Sequence, residues 1–226
     1  MLSTEPGEVQ TDATVLSDGS LAFILGTTTL TDLDPTNGTT AWSLDLGAPT
    51  MLYPPVLVEG ANGTVYVAHH DKIQAVSTTT RKVAWTVPTI ANALVLDERD
   101  QRLYFLYDDG AYSKIGSLSA IDGTGLAYSS YVFEAGNSPS ALALGDDGWV
   151  YFIGNGQLHG IDTTSQKHWE LPVLGTCSSP VVGGDGTVYF AETSSKGVAA
   201  VAVTGSGTLR WRKTLRNLST RMRQRS

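Results

Sequence analysis

The sequence predicts an all-β protein, a β-propeller of five four-stranded blades, on the strength of three observations. Only 16% of the 226 residues are charged and 24 are glycine, a composition typical of short strands joined by tight turns. Strand-like segments occur in groups of four every 40–45 residues, which is the spacing of propeller blades. A large aromatic residue recurs once in each group, at Trp42, Trp85, Tyr128, Trp169 and Trp211.

The first strand of each repeat is short and apolar, with small side chains that suit a crowded central channel. These segments are Thr14–Leu16, Pro55–Val58, Ala93–Leu96, Ala141–Leu144 and Pro180–Val182. Most are followed by an Asp-Gly or Asn-Gly pair, a strong signal for a hairpin turn. The Asp-Gly pairs at Asp18, Asp109, Asp147 and Asp185 could suggest calcium sites, but one turn offers too few oxygens for calcium, so we interpret them as turn residues.

The second strand is rich in aromatic residues, and the third ends at an apolar residue followed by a small polar one. The second strands are Ser20–Phe23, Thr64–Val67, Arg102–Phe105, Trp149–Phe152 and Thr187–Phe190. The pairs that end the third strands are Leu33-Asp34, Val76-Ser77, Ile121-Asp122, Ile161-Asp162 and Val203-Thr204. The polar side chain can bond the backbone of the next turn. The fourth strand carries the large aromatic residue, which we expect to fill the gap between neighbouring blades.

The turn before each aromatic residue resembles the PQQ-like (quinoprotein-type) repeat, whose signature is Ala-x-Asp-x-x-Thr-Gly-x-x-x-Trp. Residues 34–42 read DPTNGTTAW and residues 120–128 read AIDGTGLAY. The resemblance covers about residues 12–215, leaving 1–11 as an N-terminal extension and 216–226 as a basic tail. Relatives with seven or eight blades are usual in this family. The five repeats here therefore form either a smaller closed ring or an open or truncated one.

The resemblance implies one of two kinds of protein. Quinoprotein dehydrogenases of the family hold PQQ with calcium, and many have a vicinal disulfide at the cofactor. Cys177 is the only cysteine, and no calcium ligand set or quinone-binding arginine maps onto this sequence. We therefore expect no cofactor and no enzymatic activity, with a PQQ-dependent dehydrogenase-type propeller kept as an alternative. The other kind resembles the propeller lipoprotein of the outer-membrane barrel assembly machinery, which presents loops to a protein partner.

His69-His70-Asp71 is the densest group of potential metal ligands. Adjacent residues of a strand point to opposite faces, so the two imidazoles would not meet at one ion. His159 and His168 have no ligand partner at a useful spacing. The sequence therefore predicts no metal site.

Charge and hydropathy narrow the class of partner. The last 17 residues carry seven basic side chains and no acidic one, whereas all 22 acidic residues precede them. An acidic body would repel phosphate, so we expect no nucleic-acid partner.

No apolar run reaches the 18 residues of a membrane span, and Met1–Gln10 lacks the features of a signal peptide. By resemblance alone, the expected location is periplasmic or extracellular, in a bacterium.

Loops are the expected place for function. In a propeller, the loops between second and third strands share a face with the connections between blades. Candidate binding residues on that face are Tyr53, His70, Asp71, Asp108, Asp109, Tyr112, Lys114, Tyr131 and Asn155. Exposed aromatic and polar groups together suit a protein or peptide partner. The predicted function is thus a non-catalytic scaffold, and a five-bladed carbohydrate-binding, lectin-like module remains a second alternative because its Trp positions repeat.

Overall fold

The computed structural model describes residues 13–26, 28–47, 54–69, 71–99, 101–134, 140–146, 148–164 and 166–215. The chain divides into two compact units, residues 1–129 and residues 130–226. The described residues form five antiparallel sheets: three consist of four strands that follow one another along the chain, and the other two have one further short strand each. This is the all-β arrangement that the repeat predicts.

The first unit contains three of the sheets. The first sheet comprises β1 (Thr14–Val15), β2 (Leu21–Leu25), β3 (Thr29–Leu33) and β4 (Thr40–Asp45). The second comprises β5 (Val56–Gly60), β6 (Thr64–Ala68), β7 (Lys72–Ser77) and β8 (Lys82–Pro88), with a 3-10 turn at Ala61–Gly63. The third comprises β9 (Ala93–Asp97), β10 (Arg102–Asp108), β11 (Tyr112–Ser119) and β12 (Ala127–Tyr128).

The second unit contains the other two sheets and one further short strand, β13 (Phe133–Glu134). The fourth sheet comprises β14 (Ala143–Leu144), β15 (Trp149–Gly154), β16 (Gln157–Asp162) and β17 (His168–Pro172). The fifth comprises β18 (Thr176–Cys177), β19 (Val181–Val182), β20 (Val188–Ser194), β21 (Gly197–Val203) and β22 (Leu209–Thr214). Both β18 and β19 pair with the same side of β20.

The burial of each strand explains its sequence. In β6 and β10 nearly every side chain is buried, because both faces of these inner strands are covered. The fourth strand β8 instead alternates between exposed and half-buried residues, as one solvated face requires. Continuous apolar runs therefore mark the inner strands, and alternation marks the outer strand of a sheet.

The hydrophobic core lies between consecutive sheets. In the first unit, Ile24 and Leu30 of the first sheet pack with Val65 and Val76 of the second. Further along, Ile73 of the second sheet packs with Phe105 of the third. A cluster in the second unit joins the fourth and fifth sheets through residues such as Tyr151 and Phe190. Each sheet is thus stabilised mainly by burial against its neighbour.

The turns between third and fourth strands follow the predicted chemistry. The Oδ1 atom of Asp34 accepts the N–H of Thr36 at 2.7 Å, and that of Asp162 accepts the N–H of Thr164 at 2.8 Å. The Thr36 hydroxyl and N–H lower the pKa of the Asp34 carboxyl because they stabilise its charged form. The carboxylate oxygens thus accept hydrogen bonds from backbone N–H groups that have no backbone acceptor within the turn.

The turn of the third repeat begins three residues earlier than the sequence comparison placed it. The N–H of Asp34 bonds the Thr39 carbonyl in the first sheet, and Ser119 bonds Thr124 in the same way in the third. Ser119 is therefore the counterpart of Asp34. Asp122 lies within the turn, where its Oδ1 accepts the N–H of Thr124 at 3.1 Å.

This shift moves Tyr128 to the other face of its sheet. Trp42 and Trp85 each lie opposite the residue two positions before the start of their turn. In the third sheet that place is taken by Ala127, which lies opposite Ser117, while Tyr128 lies opposite Gly116. Successive side chains of a strand point to opposite faces, so a slip of one residue reverses the direction of the ring. Tyr128 is thus not the counterpart of the tryptophans, as the spacing of the aromatic residues had indicated.

Candidate functional site

One edge of each sheet carries the loop between its second and third strands, and we call this edge the loop face. In the second sheet, the N–H of Thr89, just after β8, bonds the Asp71 carbonyl in that loop. In the fourth sheet, Val173 after β17 bonds Gly156 in the same manner. The segment that leaves each of these sheets is therefore held beside the loop, which is the arrangement expected for the predicted binding face.

The loop of the third sheet presents Tyr112 on a fixed backbone. The Oδ1 atom of Asp109 accepts the N–H groups of Ala111 at 3.0 Å and Tyr112 at 2.9 Å. The buried carboxyl of Asp108 accepts the N–H of Gly110 at 2.8 Å. These backbone N–H groups lower the pKa of Asp109, since they stabilise its carboxylate. The Tyr112 side chain remains 59% exposed.

A cluster of three tyrosines and a lysine lies beside this loop, and we call it the tyrosine patch. It consists of Tyr107, Tyr112, Lys114 and Tyr128. The Lys114 ammonium lies 4.6 Å from the centre of the Tyr107 ring and 4.3 Å from that of Tyr128. Burial, followed by the nearby charge of Asp109, raises the pKa of the Tyr107 hydroxyl. The cation and the two ring faces hold one another in place.

The tyrosine patch is joined to the second sheet through a hydroxyl pair. The Tyr128 hydroxyl lies 2.9 Å from the Thr89 hydroxyl. Since the N–H of Thr89 bonds the Asp71 carbonyl, the predicted residue Asp71 is linked to the patch. The structure therefore brings Asp71, Asp108 and Tyr112 to one edge of the first unit. The Tyr128 ring points to the opposite face of its sheet from the face that the tryptophans occupy in theirs, and it therefore meets Lys114 and Thr89 at this edge.

In the second unit, Asn155 lies in the tight turn between β15 and β16. It has φ +49° and is followed by Gly156 at φ +73°, a pair of left-handed residues typical of an Asn-Gly hairpin. The turn borders a recess of about 570 Å³ that is also lined by Ser140, Val173 and Cys177. Burial raises the pKa of the Cys177 thiol, which keeps it protonated and poorly nucleophilic.

Tyr131 packs within the second unit. Its ring stacks on that of His168 with the ring centres 3.7 Å apart, and its hydroxyl donates to the Glu170 carboxylate. The remaining predicted loop residues, Tyr53 and His70, lie outside the described residues.

Two histidines are buried and held neutral. Burial lowers the pKa of His69 to about 4 and also lowers that of His159. The His159 ring stacks on Phe133 and Phe152, with its Nε2 3.2 Å from the Gly154 carbonyl oxygen. Within the part of the chain that the structure describes, no group of three or more His, Cys, Asp or Glu side chains could hold a metal ion.

Three of the repeat tryptophans are packed between sheets. Trp42 is 9% exposed and packs against Val76 of the second sheet. Trp85 and Trp169 each lie against a glycine turn of the sheet that follows, at Gly123 and Gly207. Their ring faces are therefore covered, and they do not form the row of open aromatic pockets that a lectin-like module would need.

Sequence reasoning missed Thr89 and Tyr107 as members of this site. Thr89 follows a fourth strand and Tyr107 ends a second strand, so both fell in segments interpreted as structural. The available signal was alternation along β10, which places Tyr107 on the same face as Phe105.

The sequence profile of a family described as outer membrane protein assembly factor BamB matches residues 3–130, more than half of the chain. The chain belongs to this PQQ-like repeat family. No curated protein sequence matches it significantly. The family assignment agrees with the repeat signature read from the turns.

Solved structures share the fold with this PQQ-like repeat protein. BamB from Moraxella catarrhalis is 16% identical, with a TM-score of 0.54 over 92% of this chain and 77% of that one. A virginiamycin B lyase from Staphylococcus aureus, inactivated by the substitution H270A and bound to quinupristin, is 16% identical, with a TM-score of 0.66 over 96% and 73%. U3-55K is 9% identical, with a TM-score of 0.67 over 96% and 68%. At these identities the likeness shows the fold alone, a β-propeller.

Among the residues that the structure describes, none forms a helix long and apolar enough to cross a membrane.

Proposed function

We propose that this PQQ-like repeat protein is a non-catalytic scaffold that binds a protein partner through its loop face. Residues 12–215 form the binding domain in this proposal, and the basic residues 216–226 lie outside it. The observation that carries it is the exposure of Tyr112 on a loop whose backbone is held by Asp108 and Asp109. A large side chain on an already ordered loop loses little conformational freedom when a partner covers it.

The chemistry of the tyrosine patch supports a protein partner. Tyrosine is among the residues most often found at the energetic centre of protein interfaces, because it combines a large apolar ring with a hydroxyl. Lys114 adds a positive charge between two rings, and Asp109 adds a negative charge at the edge. Such a patch can bury apolar area and also fix the orientation of the partner by charge.

The state of the other reactive side chains supports binding rather than catalysis. The thiol of Cys177 has a raised pKa, and burial keeps His69 and His159 neutral within packed surroundings. A general base or nucleophile needs an accessible group with a pKa near the working pH. None of these three side chains meets that requirement.

The family suggests where the scaffold works. Its profile is described as outer membrane protein assembly factor BamB, and a solved BamB shares the fold. We propose on that basis a role in outer-membrane protein assembly, outside the cytoplasm of a bacterium. The partner expected there is a protein that presents an extended or loop segment to the tyrosine patch.

Site-specific photocrosslinking tests the proposal. A photoreactive phenylalanine analogue is placed at position 112, and in a control protein at position 121, in cells that produce the chain. Ile121 is 72% exposed but lies in the turn between β11 and β12, at the opposite end of the third sheet. We expect a discrete crosslinked protein from position 112 alone. Equal crosslinking at both positions, or none at 112, would contradict a binding site on the loop face.

Affinity for the crosslinked protein then measures the contribution of the ring. Tyr112→Ala should weaken binding by about 30-fold, the effect typical of an aromatic residue at the centre of an interface. Ile121→Ala should leave binding unchanged. If the two variants bind equally well, Tyr112 is not part of the interface.

A further inference from the structure

A tyrosine and a tryptophan of one sheet together cover a glycine turn of the next. In the first unit, the rings of Tyr66 and Trp85 lie 5.9 Å apart, and the Tyr66 hydroxyl donates to the Ala120 carbonyl at 3.0 Å. Trp85 lies so close to Gly123 that an added Cβ would be 3.0 Å from its ring. The second sheet thus packs against the turn between the third and fourth strands of the third sheet and donates a hydrogen bond to it.

The second unit repeats this arrangement. The rings of Tyr151 and Trp169 lie 5.9 Å apart, and the Trp169 indole N–H donates to the Gly205 carbonyl at 2.9 Å. An added Cβ at Gly207 would be 2.6 Å from the Trp169 ring. The same contact therefore recurs at two junctions, that of the second sheet with the third and that of the fourth sheet with the fifth.

The fifth sheet carries the same aromatic pair, and no turn among the residues that the structure describes covers Trp211 in this way. The rings of Tyr189 and Trp211 lie 6.1 Å apart, tilted much like the two covered pairs. Trp211 is 46% exposed, and all six residues of β22 are exposed, whereas β8 and β17 alternate. We call the surface formed by Tyr189, Trp211 and Lys213 the Trp211 face.

The first sheet carries an uncovered turn of the matching kind. Gly38 has φ +70°, close to the +73° of Gly123 and the +86° of Gly207, and occupies the same place in its turn. An added Cβ at Gly38 would have nothing within 4 Å. In the second and fourth sheets this place is taken by Arg81 and Gln166, which also have a left-handed φ.

Apolar surface and charge also match between these two places. One face of β2, with Leu21, Phe23 and Leu25, is only half-buried, whereas β6 is buried on both faces. On the Trp211 face, Lys213 points to the same side as Trp211 because strand residues alternate. The turn that carries Gly38 begins with the exposed carboxylate of Asp34. Both surfaces therefore present apolar area, and their charges are opposite in sign.

We propose that the Trp211 face of one copy of this chain binds the Asp34–Thr39 turn of a second copy. Trp211 covers Gly38, and the Tyr189 hydroxyl and Trp211 indole N–H donate to the Pro35 carbonyl, as their counterparts do at Ala120 and Gly205. Each copy has one face and one turn, so the contact joins two different surfaces and the copies associate head to tail.

Sedimentation of the purified chain at increasing concentration tests this proposal with three variants. Trp211→Ala removes the covering ring, and Gly38→Ala places a Cβ where the ring must lie. Gly125→Ala is the matched control, since Gly125 also has a left-handed φ of +66° and nothing within 4 Å of an added Cβ. The two glycine variants thus carry the same backbone cost and differ only in the proposed contact.

We expect a species larger than the monomer for the wild-type chain and for Gly125→Ala. The first two variants should associate about 30-fold more weakly, the effect typical of a central interface tryptophan. A wild-type chain that stays monomeric at every concentration would overturn the proposal. So would equal behaviour of Gly38→Ala and Gly125→Ala.

Mixing the two impaired variants distinguishes this contact from a symmetric one. Trp211→Ala retains an intact turn and Gly38→Ala retains an intact Trp211, so a mixed pair has one complete junction. We expect the mixture to associate more strongly than either variant alone. If mixing restores nothing, the copies meet through some other surface, such as paired β22 edges, and the proposed contact is wrong.

Discussion

The contact between Trp169 and Gly207 offers the sharpest test of how consecutive sheets are joined. Gly207 has φ +86°, and a Cβ added there would lie 2.6 Å from the indole ring. Separation this short cannot be accommodated unless the ring moves. Gly207→Ala should therefore destabilise the second unit through both backbone strain and the displaced ring.

The structure allows the size of the effect to be estimated. A left-handed alanine costs roughly 1–2 kcal/mol relative to glycine. Forcing a methyl group into a filled space typically adds about 1–3 kcal/mol. Displacing the ring also weakens the Trp169–Gly205 hydrogen bond of 2.9 Å, which contributes about 1 kcal/mol. We expect Gly207→Ala to lower the free energy of unfolding by about 3–6 kcal/mol.

Urea unfolding followed by circular dichroism measures this change against Gly125→Ala. That control has a similar φ of +66° but open space around the added Cβ, so it should cost only the backbone term of about 1–2 kcal/mol. In the background Trp169→Leu, the smaller side chain should reduce the further loss caused by Gly207→Ala to nearly that of the control. If Gly207→Ala and Gly125→Ala lower the free energy of unfolding equally in the wild-type background, the reasoning is refuted, because the contact with the Trp169 ring would then contribute nothing to stability.

Three further predictions follow from buried charge, buried imidazole and the tyrosine patch. Glu192 is 2% exposed and forms an ion pair with Arg212. Arg212→Met leaves this buried carboxylate without its cation, so it should lower the free energy of unfolding by about 3–5 kcal/mol, measured by heat or urea. The control Arg210→Met breaks an exposed ion pair and should lower it by less than about 1 kcal/mol. Burial lowers the pKa of His69 from 6.5 to about 4. As the pH falls, the unfolded state therefore binds a proton at this imidazole before the folded state does. The free energy of unfolding that is present above pH 6.5 should fall by up to about 3 kcal/mol as the pH is lowered to 4. His69→Gln should flatten this part of the plot of stability against pH, and an unchanged plot would contradict the assignment. Tyr128→Phe should lower stability by about 1 kcal/mol, since it removes one hydroxyl pair but retains both ring contacts; no loss in urea unfolding would mean that the hydroxyl pair is not formed in solution.

The two proposed binding surfaces can be tested separately. The tyrosine patch lies on the loop face of the third sheet, whereas the Trp211 face belongs to the fifth sheet. Tyr112→Ala should therefore leave self-association unchanged, and Trp211→Ala should leave the partner affinity of an isolated copy unchanged. A variant that impairs both would indicate that the partner binds the assembled copies rather than one chain.

Much of the fold could be read from local patterns. Strand sequences such as Thr64–Ala68 are apolar throughout because both faces are covered, and the alternation in Lys82–Pro88 marks an edge. The turn chemistry was equally local, since Asp34 bonds a backbone group two residues away. Interactions between residues a few positions apart can therefore be predicted from the sequence.

The candidate site could be read only in part. Tyr112 and Asp108 were predicted from their place in a loop, and the structure puts both at the loop face. Thr89 was missed because it joins the site through Tyr128, a residue far along the chain, and Tyr107 was missed because it ends a strand that was interpreted as structural. Which side chains meet across two sheets depends on register, and register is set by packing over the whole sheet.

By itself, the sequence determined the number of repeats and, in four of the five, the residues that end the third strand, since these rest on periods of two residues and of about 42. Only the tertiary structure decided the direction of the Tyr128 ring and the exposure of Trp211. Tyr128 and the tryptophans have the same spacing, yet one residue of register sends their rings to opposite faces. Trp169 and Trp211 have the same local sequence role, and they differ because the turn at Gly207 packs against Trp169, whereas Trp211 is exposed. Spacing along a chain carries no information about what lies on the far side of a sheet, so these differences arise only when the sheets pack.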